Sequence, residues 1–258
     1  MKVRNLLVVL TTLFFSFAIL VDCAHKKKTS DTNDEPNSDR DINDQEVNQL
    51  TASEKEEGWI LLFDGRSLDG WRDFKGEMVG EGWTVEDGNM IALGKGGDLG
   101  GDIISVDQYE SFILKLDWKI SEGGNSGVFF HVLEEDYPTV YATGPEYQLI
   151  DDVGFPEKLE DWQVCGANYA MHPPVNVKLK PAGEWNSTEI VVDGPHVTHI
   201  LNGNKVVEYE MWTDEWTDLV NSGKWDDYPD YGLSKKGHLG LQDHGNKIWF
   251  RNIKIKEL

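Results

Sequence analysis

The chain has only two cysteines among its 258 residues, Cys23 and Cys165. Cys23 precedes the region able to fold, so no disulfide can close within that region, and Cys165 reads as a small buried residue rather than a catalytic thiol. Basic residues are also scarce: 24 Lys and Arg stand against 46 Asp and Glu, a net charge of −22. A polyanion would be repelled, which excludes nucleic acid as a partner and leaves a neutral sugar open. There is no phosphate-binding glycine loop, no paired-cysteine zinc motif, no His-Glu-x-x-His and no Gly-x-Ser-x-Gly elbow. Hydrolysis through a Ser or Cys nucleophile is therefore unsupported. No long stretch keeps a helical period and no internal repeat is visible.

Lys2 and Arg4 give a charged start, followed by an apolar run over 6–21 broken only by a few Ser and Thr. A permanent span needs ~20 apolar residues, so this segment reads as an export signal. Cys23 stands where a bacterial lipoprotein is cut and acylated. Leu20-Val21-Asp22 fits that motif only in part, because a small residue is expected directly before the cysteine. A lipoprotein signal over 1–23 is the preferred reading, with a plain cleaved signal or an uncleaved anchor as alternatives. It predicts an exported protein, periplasmic or at the cell surface, lipid-anchored to a bacterial outer membrane. Residues 24–57 are dominated by Asp, Glu, Asn, Ser, Lys and Thr. They bury too little apolar surface to offset chain entropy and read as a disordered acidic linker. From Gly58 onward Trp, Phe and Tyr recur, and 58–258 suits one domain.

That domain alternates with period two. Phe112, Leu114, Leu116, Trp118 and Ile120 share one face, and Lys115, Asp117 and Lys119 the other. Further strands are expected over 127–133, 146–150, 188–192, 197–201, 205–209, 239–242 and 247–255. Asp64-Gly65, Asp87-Gly88, Gly123-Gly124-Asn125, Asp193-Gly194 and Asn202-Gly203 supply turns, and Asn202-Gly203 is a hairpin signal. Only 211–231, rich in Trp and Asp, leaves room for a short helix or a surface loop. Many short strands with regular turns predict an all-β sandwich of two antiparallel sheets.

The polar residues that could carry chemistry fall in three groups. On a strand, Glu146 and Gln148 point the same way, and Asp151 joins them only if a bulge intervenes. A carboxylate beside an amide is costly to bury unless paired or used, so the pair is either a satisfied edge contact or an acid/base beside a hydroxyl binder. His131, flanked by Phe129 and Leu133, is either a core histidine or a proton-transfer partner of Glu146. Near the chain end Gln242, Asp243, His244 and Arg251 are either a capped turn with a surface ion pair or part of a site. Trp185-Asn186 is the kind of pair that stacks on and hydrogen-bonds a sugar ring, although Trp also fills cores.

Several motifs occur in an order that resembles a known family. They are Gly58-Trp59-Ile60-Leu61-Leu62-Phe63-Asp64-Gly65 with Leu68-Asp69-Gly70-Trp71, then Gly124-Asn125-Ser126-Gly127 and Gly144-Pro145-Glu146-Tyr147-Gln148. Gly183-Glu184-Trp185-Asn186, Leu241-Gln242-Asp243-His244-Gly245 and Phe250-Arg251-Asn252-Ile253-Lys254 follow. Over 58–258 the chain is similar to the 3-keto-disaccharide hydrolase domain family. The resemblance implies a concanavalin-like jelly roll with a carbohydrate groove and cleavage of glycosides whose sugar carries a C3 ketone. Such a ketone acidifies the C2 hydrogen, so a base can remove it and expel the C1 substituent, after which water adds back. The expected roles are Glu146 or His131 as base, Asn125, Gln148, Gln242 and Arg251 as binders of hydroxyls or the enolate, and His244 at the leaving group. Trp185 and Asn186 would contact sugar, and a divalent cation could sit among Glu146, His131 and Asp151, although no spacing demands one. Two rivals stand beside this reading. One is a retaining glycosidase, whose Glu-x-Asp-x-x-Glu strand is replaced here by Glu146-x-Gln148-x-x-Asp151. The other is a non-catalytic carbohydrate-binding module.

Overall fold

The computed structural model describes residues 47–96 and 101–258. The signal segment, Cys23 and the linker up to residue 46 lie outside them. Among the described residues thirteen strands, all paired antiparallel, form two sheets. The larger contains β1 (Ile60–Leu61), β3 (Trp83–Glu86), β4 (Asn89–Leu93), β6 (Phe112–Ile120), β9 (Asn186–Asp193), β10 (His196–Leu201), β11 (Asn204–Glu210) and β13 (Lys247–Glu257). Its order is β11-β10-β9-β6-β13-β4-β3, with β1 beside β13. The smaller sheet orders β2 (Trp71–Asp73), β5 (Ile103–Tyr109), β12 (Gly237–Leu241), β7 (Asn125–Val132) and β8 (Glu146–Ile150) as β2-β5-β12-β7-β8. The protein is an all-β jelly-roll sandwich.

The alternation along β6 is realised in burial: Phe112, Leu114, Leu116, Trp118 and Ile120 are buried and the residues between them are not. They pack in one core with Val128, Phe130, Tyr147 and Leu149 of the smaller sheet. Each such side chain contributes roughly 1.5–3 kcal/mol by leaving water. The polar atoms among them are paired, as when Trp118 Nε1 donates to Thr188 Oγ1 at 2.9 Å. Asp87-Gly88 (φ 50° and 73°) and Asn202-Gly203 (φ 49° and 75°) turn their hairpins with both central residues left-handed. Asn, Asp and Gly reach that conformation most cheaply.

The linker expectation is corrected over 47–57, which belongs to the fold. Thr51 caps α1 (Ala52–Glu56): its Oγ1 accepts the Glu54 N–H at 3.2 Å, and the Glu54 carboxylate accepts the Thr51 N–H at 2.9 Å. Asn48 and Asn252 exchange two backbone-to-side-chain bonds of 2.7 Å, and Asn48 Nδ2 donates to Gly88 O at 2.7 Å. Composition missed this segment because polar bonding, and not apolar burial, fixes it.

Within 211–231, Thr213 caps α2 (Asp214–Ser222), which buries Trp216 and Val220 one turn apart. A 3-10 turn follows, Lys224–Asp227. Five rings stack beneath it: His172 on Tyr209 (4.7 Å), Tyr209 on Trp216 (5.7 Å), Trp216 on Tyr231 (6.0 Å) and Tyr231 on Trp225 (3.9 Å), all within 13° of parallel.

Candidate functional site

Tyr147 points into the core, where its hydroxyl donates to Ile200 O at 3.4 Å, so Glu146 and Gln148 face outward from the smaller sheet. Across the β7–β8 ladder Glu146 lies opposite Phe129 and Gln148 opposite Gly127. A Cβ on residue 127 would overlap Glu146 Oε1, so the missing side chain is what lets this carboxylate lie across β7. Beyond β7, the Gln242 N–H donates to Gly127 O at 3.0 Å, continuing the register of Leu241 opposite Val128. Leu241 in turn pairs with Ile103, which puts Asp102 at the end of the same row. The row therefore reads Asp102, Gln242, Gly127, Gln148 across four strands, with Glu146 lying over it.

The amides are only partly satisfied. Gln148 Nε2 donates to Asn125 Oδ1 at 3.3 Å and to Gln163 O at 3.2 Å. Among the described residues the buried Gln242 Oε1 has no hydrogen-bond partner. Such an acceptor costs ~1–3 kcal/mol unless something else fills it, which marks a place for a ligand hydroxyl. Burial pushes the Glu146 carboxyl up to about 8, with Lys224 pulling it down and Asp102 adding to the rise. Asp102 is pushed up to about 7, chiefly by burial, while the Asp243 N–H bonded to its Oδ1 at 3.2 Å lowers it and the Asp243 charge raises it. Two carboxyls that titrate near neutrality on one polar face can exchange protons with a substrate.

The free edge of β8 is covered by the segment after it: Gly166 and Tyr169 N–H groups donate to Gln148 O (2.9 Å) and Glu146 O (3.0 Å). That segment places Tyr169 beside the carboxylate and sets Trp162 edge-on to Tyr169 at 5.5 Å. Trp162 is 37% exposed, an aromatic surface available for stacking on a sugar.

The expected site residues divide. Glu146, Gln148, Asn125 and Gln242 come together. His131 does not: it is buried at positive φ (54°), where the β7–β12 register shifts. The shift turns its ring toward Phe112 of the larger sheet, 6.2 Å away, and its Nε2 meets Glu110 O at 2.7 Å. His131 is a core residue. His244 is exposed in the β12–β13 turn. Neighbouring Asp243 caps that turn through Gly245 N–H (2.9 Å) and Lys95 N–H (3.1 Å). Asp151 is likewise a loop cap, accepting from Gly123 N–H (2.9 Å) and Val153 N–H (3.3 Å). The cation set expected from Glu146, His131 and Asp151 thus does not converge, and no cluster of three His, Cys, Asp or Glu occurs among the described residues.

Trp185 and Arg251 lie on the outer face of the larger sheet, the Arg251 guanidinium 3.9 Å over the Trp185 ring. Asn186 is an internal clip, its Oδ1 accepting from Lys180 N–H (2.9 Å) and Asn202 Nδ2 (2.7 Å). The sequence reading missed Asp102, Trp162, Tyr169 and Lys224. None sits in a motif with characteristic spacing: the sheet register brings Asp102, the segment after β8 brings Trp162 and Tyr169, and the 3-10 turn after α2 brings Lys224.

Fold and site define a class: a jelly-roll sandwich whose smaller sheet carries titratable carboxyls and amides on its outer face. The chain belongs to the 3-keto-alpha-glucoside-1,2-lyase-like domain family, which matches residues 58–256. It is similar to a 3-keto-disaccharide hydrolase of Bacteroides thetaiotaomicron, 34% identical over 274 positions that cover 93% of this chain and 94% of that one. A solved structure from Parabacteroides distasonis, provisionally described as a glycosyl hydrolase, shares 44% identity at a TM-score of 0.77, covering 83% of this chain and 100% of that one. A second from the same organism, described in the same way, shares 31% at a TM-score of 0.60, covering 78% and 99%.

Proposed function

We propose that this protein cleaves glycosides whose sugar ring carries a ketone at C3, by elimination followed by addition of water. The observation that carries the reading is the Glu146 carboxyl lying over Gly127, beside three amides, where burial pushes it up to about 8. In the first step Glu146 takes the C2 hydrogen as a proton, and the C2–H electrons form the enolate of the C3 ketone. The enolate then collapses, C1=C2 forms, and the C1–O bond breaks toward the departing oxygen. Asp102, protonated below about pH 7, supplies the proton that this oxygen needs. Water then adds its hydroxyl to C1 and its proton to C2, so the net change is hydrolysis. Gln148, Asn125 and Gln242 hold sugar hydroxyls, and Trp162 and Tyr169 offer ring faces to the sugar.

Double displacement is disfavoured by the same geometry. Its strand would need a carboxylate where Gln148 stands, and the Asp151 carboxylate is already engaged by two backbone N–H groups. The test is release of free sugar by the full-length protein from a methyl 3-keto-glucoside and from its unoxidised parent. Cleavage of the keto form alone, lost by ~10²–10⁴-fold in Glu146→Gln, is expected. Cleavage of the parent would replace elimination with an ordinary glycosidase, and binding without cleavage of either would make the domain a carbohydrate-binding module.

A further inference from the structure

Elimination from a ketosugar puts negative charge on the C3 oxygen, and none of the groups assigned so far is positively charged. Among the described residues, the one cation whose field reaches Glu146 is Lys224, at the start of the 3-10 turn after α2. Its ammonium lies 4.3 Å from the Tyr169 ring centre, 4.7 Å from that of Trp225 and 5.6 Å from that of Tyr141. Among the described residues it makes no hydrogen bond and no ion pair within 4 Å. The attraction between ammonium and carboxylate therefore acts without direct contact. The residue is exposed overall, while three rings hem in its charged end.

The position is braced. Trp225, next in sequence, is fully buried as the last ring of the five-ring stack, and its Nε1 donates to Tyr169 O at 3.3 Å. Tyr169 in turn donates its N–H to Glu146 O at 3.0 Å, so one short chain of contacts links the two groups. Rings contribute attraction to a cation but no hydrogen-bond acceptor on an oxygen, so all three N–H donors remain free for a ligand.

We propose that Lys224 is a catalytic residue, the electrophile that holds the C3 oxygen of the ketosugar while Glu146 takes the C2 proton. As the C3=O π electrons move onto oxygen, an ammonium N–H donates to it; as the enolate collapses, the electrons return and C1–O breaks. The proton stays on nitrogen throughout. A fixed cation in a partly desolvated site acts where charge develops and adds little to ground-state binding. Burial lowers the affinity of Lys224 for its proton and Glu146 restores it, so the pair sustains opposite charges on either side of the substrate.

The inference rests on the cleavage reading above, and its test separates the two. Lys224→Met and Lys224→Arg are assayed in full-length protein on the methyl 3-keto-glucoside, with exchange of the C2 hydrogen into deuterated water followed alongside sugar release. The expected result for Lys224→Met is a ~10²–10³-fold fall in kcat with KM changed by less than ~5-fold, and exchange lost together with cleavage. Its rising pH limb should also move to higher pH, because the cation that draws Glu146 down is gone. Lys224→Arg, which keeps the charge, should recover part of kcat and return the limb to its place. Matched melting temperatures guard against misfolding, and Lys224→Gln replaces Met if that variant unfolds. Wild-type kcat in Lys224→Met, or an effect confined to KM, overturns the role of Lys224 and leaves the elimination standing. A wild-type protein that neither cleaves nor exchanges the ketosugar overturns both.

Discussion

Gly127 determines where the Glu146 carboxylate can lie. With no side chain at that point of β7, the acid stretches across the strand toward Gln242 instead of standing upright in its own column. Gly127→Ala should therefore leave the sheet paired while displacing the carboxyl, with kcat on a 3-ketosugar falling by at least ~10-fold. Gly127 is β-paired on both sides, so the melting temperature should change by no more than a few degrees. A normal kcat in Gly127→Ala would show that the observed placement of Glu146 is not the reactive one. Glu146, Gln148, Asn125 and Gln242 were legible in the sequence because strand parity alone puts the first two on one face, and the others flank them in ordered motifs. His131 was not, because parity fails at a left-handed residue. One such residue before Val132 sends the imidazole to the other face of the sheet.

Element by element, alternation succeeded where one side of a strand is solvated and faltered where both are covered. β6 and β9 were visible for the first reason. β5 was not, because Ile103, Ile104 and Ser105 are consecutively buried and leave no period to read. Segment 47–57 shows a different blind spot, since its order comes from the reciprocal Asn48–Asn252 pair and the capped α1. Asn48→Ala removes the two hydrogen bonds of the Asn48 side chain, to Gly88 O and from the N–H of left-handed Asn252 (φ 53°). It should destabilise the fold by ~1–3 kcal/mol in a denaturant melt and leave kcat unchanged, since Asn48 acts on the sheet remote from Glu146. A shift in kcat instead would tie the segment to the site.

For the molecule as a whole, two sets of buried groups respond to pH with opposite sign. Burial holds His199 neutral, down to about 4, between Gly166 O (3.0 Å) and the Tyr209 hydroxyl (3.5 Å). A depressed histidine contributes stability above its unfolded value of 6.5 that is lost as pH falls toward 4. Glu146 and Asp102 are raised, so their contribution is complete below 4.5 and 3.8 and is lost as pH rises through about 8 and about 7. The two trends offset each other between pH 4.5 and 6.5, so the histidine share needs a reference variant. The stability advantage of wild type over His199→Gln should shrink as pH drops below 6.5. A gap that stays constant down to pH 4 would remove His199 from this balance.

The Asn48–Asn252 pair also gives the molecule a front and a back. Asn48 joins the fold at the outer face of the eight-stranded sheet, while Glu146 belongs to the outer face of the five-stranded one. Fixed at residue 47 to a bead or an electrode, the domain would turn its Glu146 face to the bulk liquid. Even a bulky oligosaccharide could then dock without passing between protein and support.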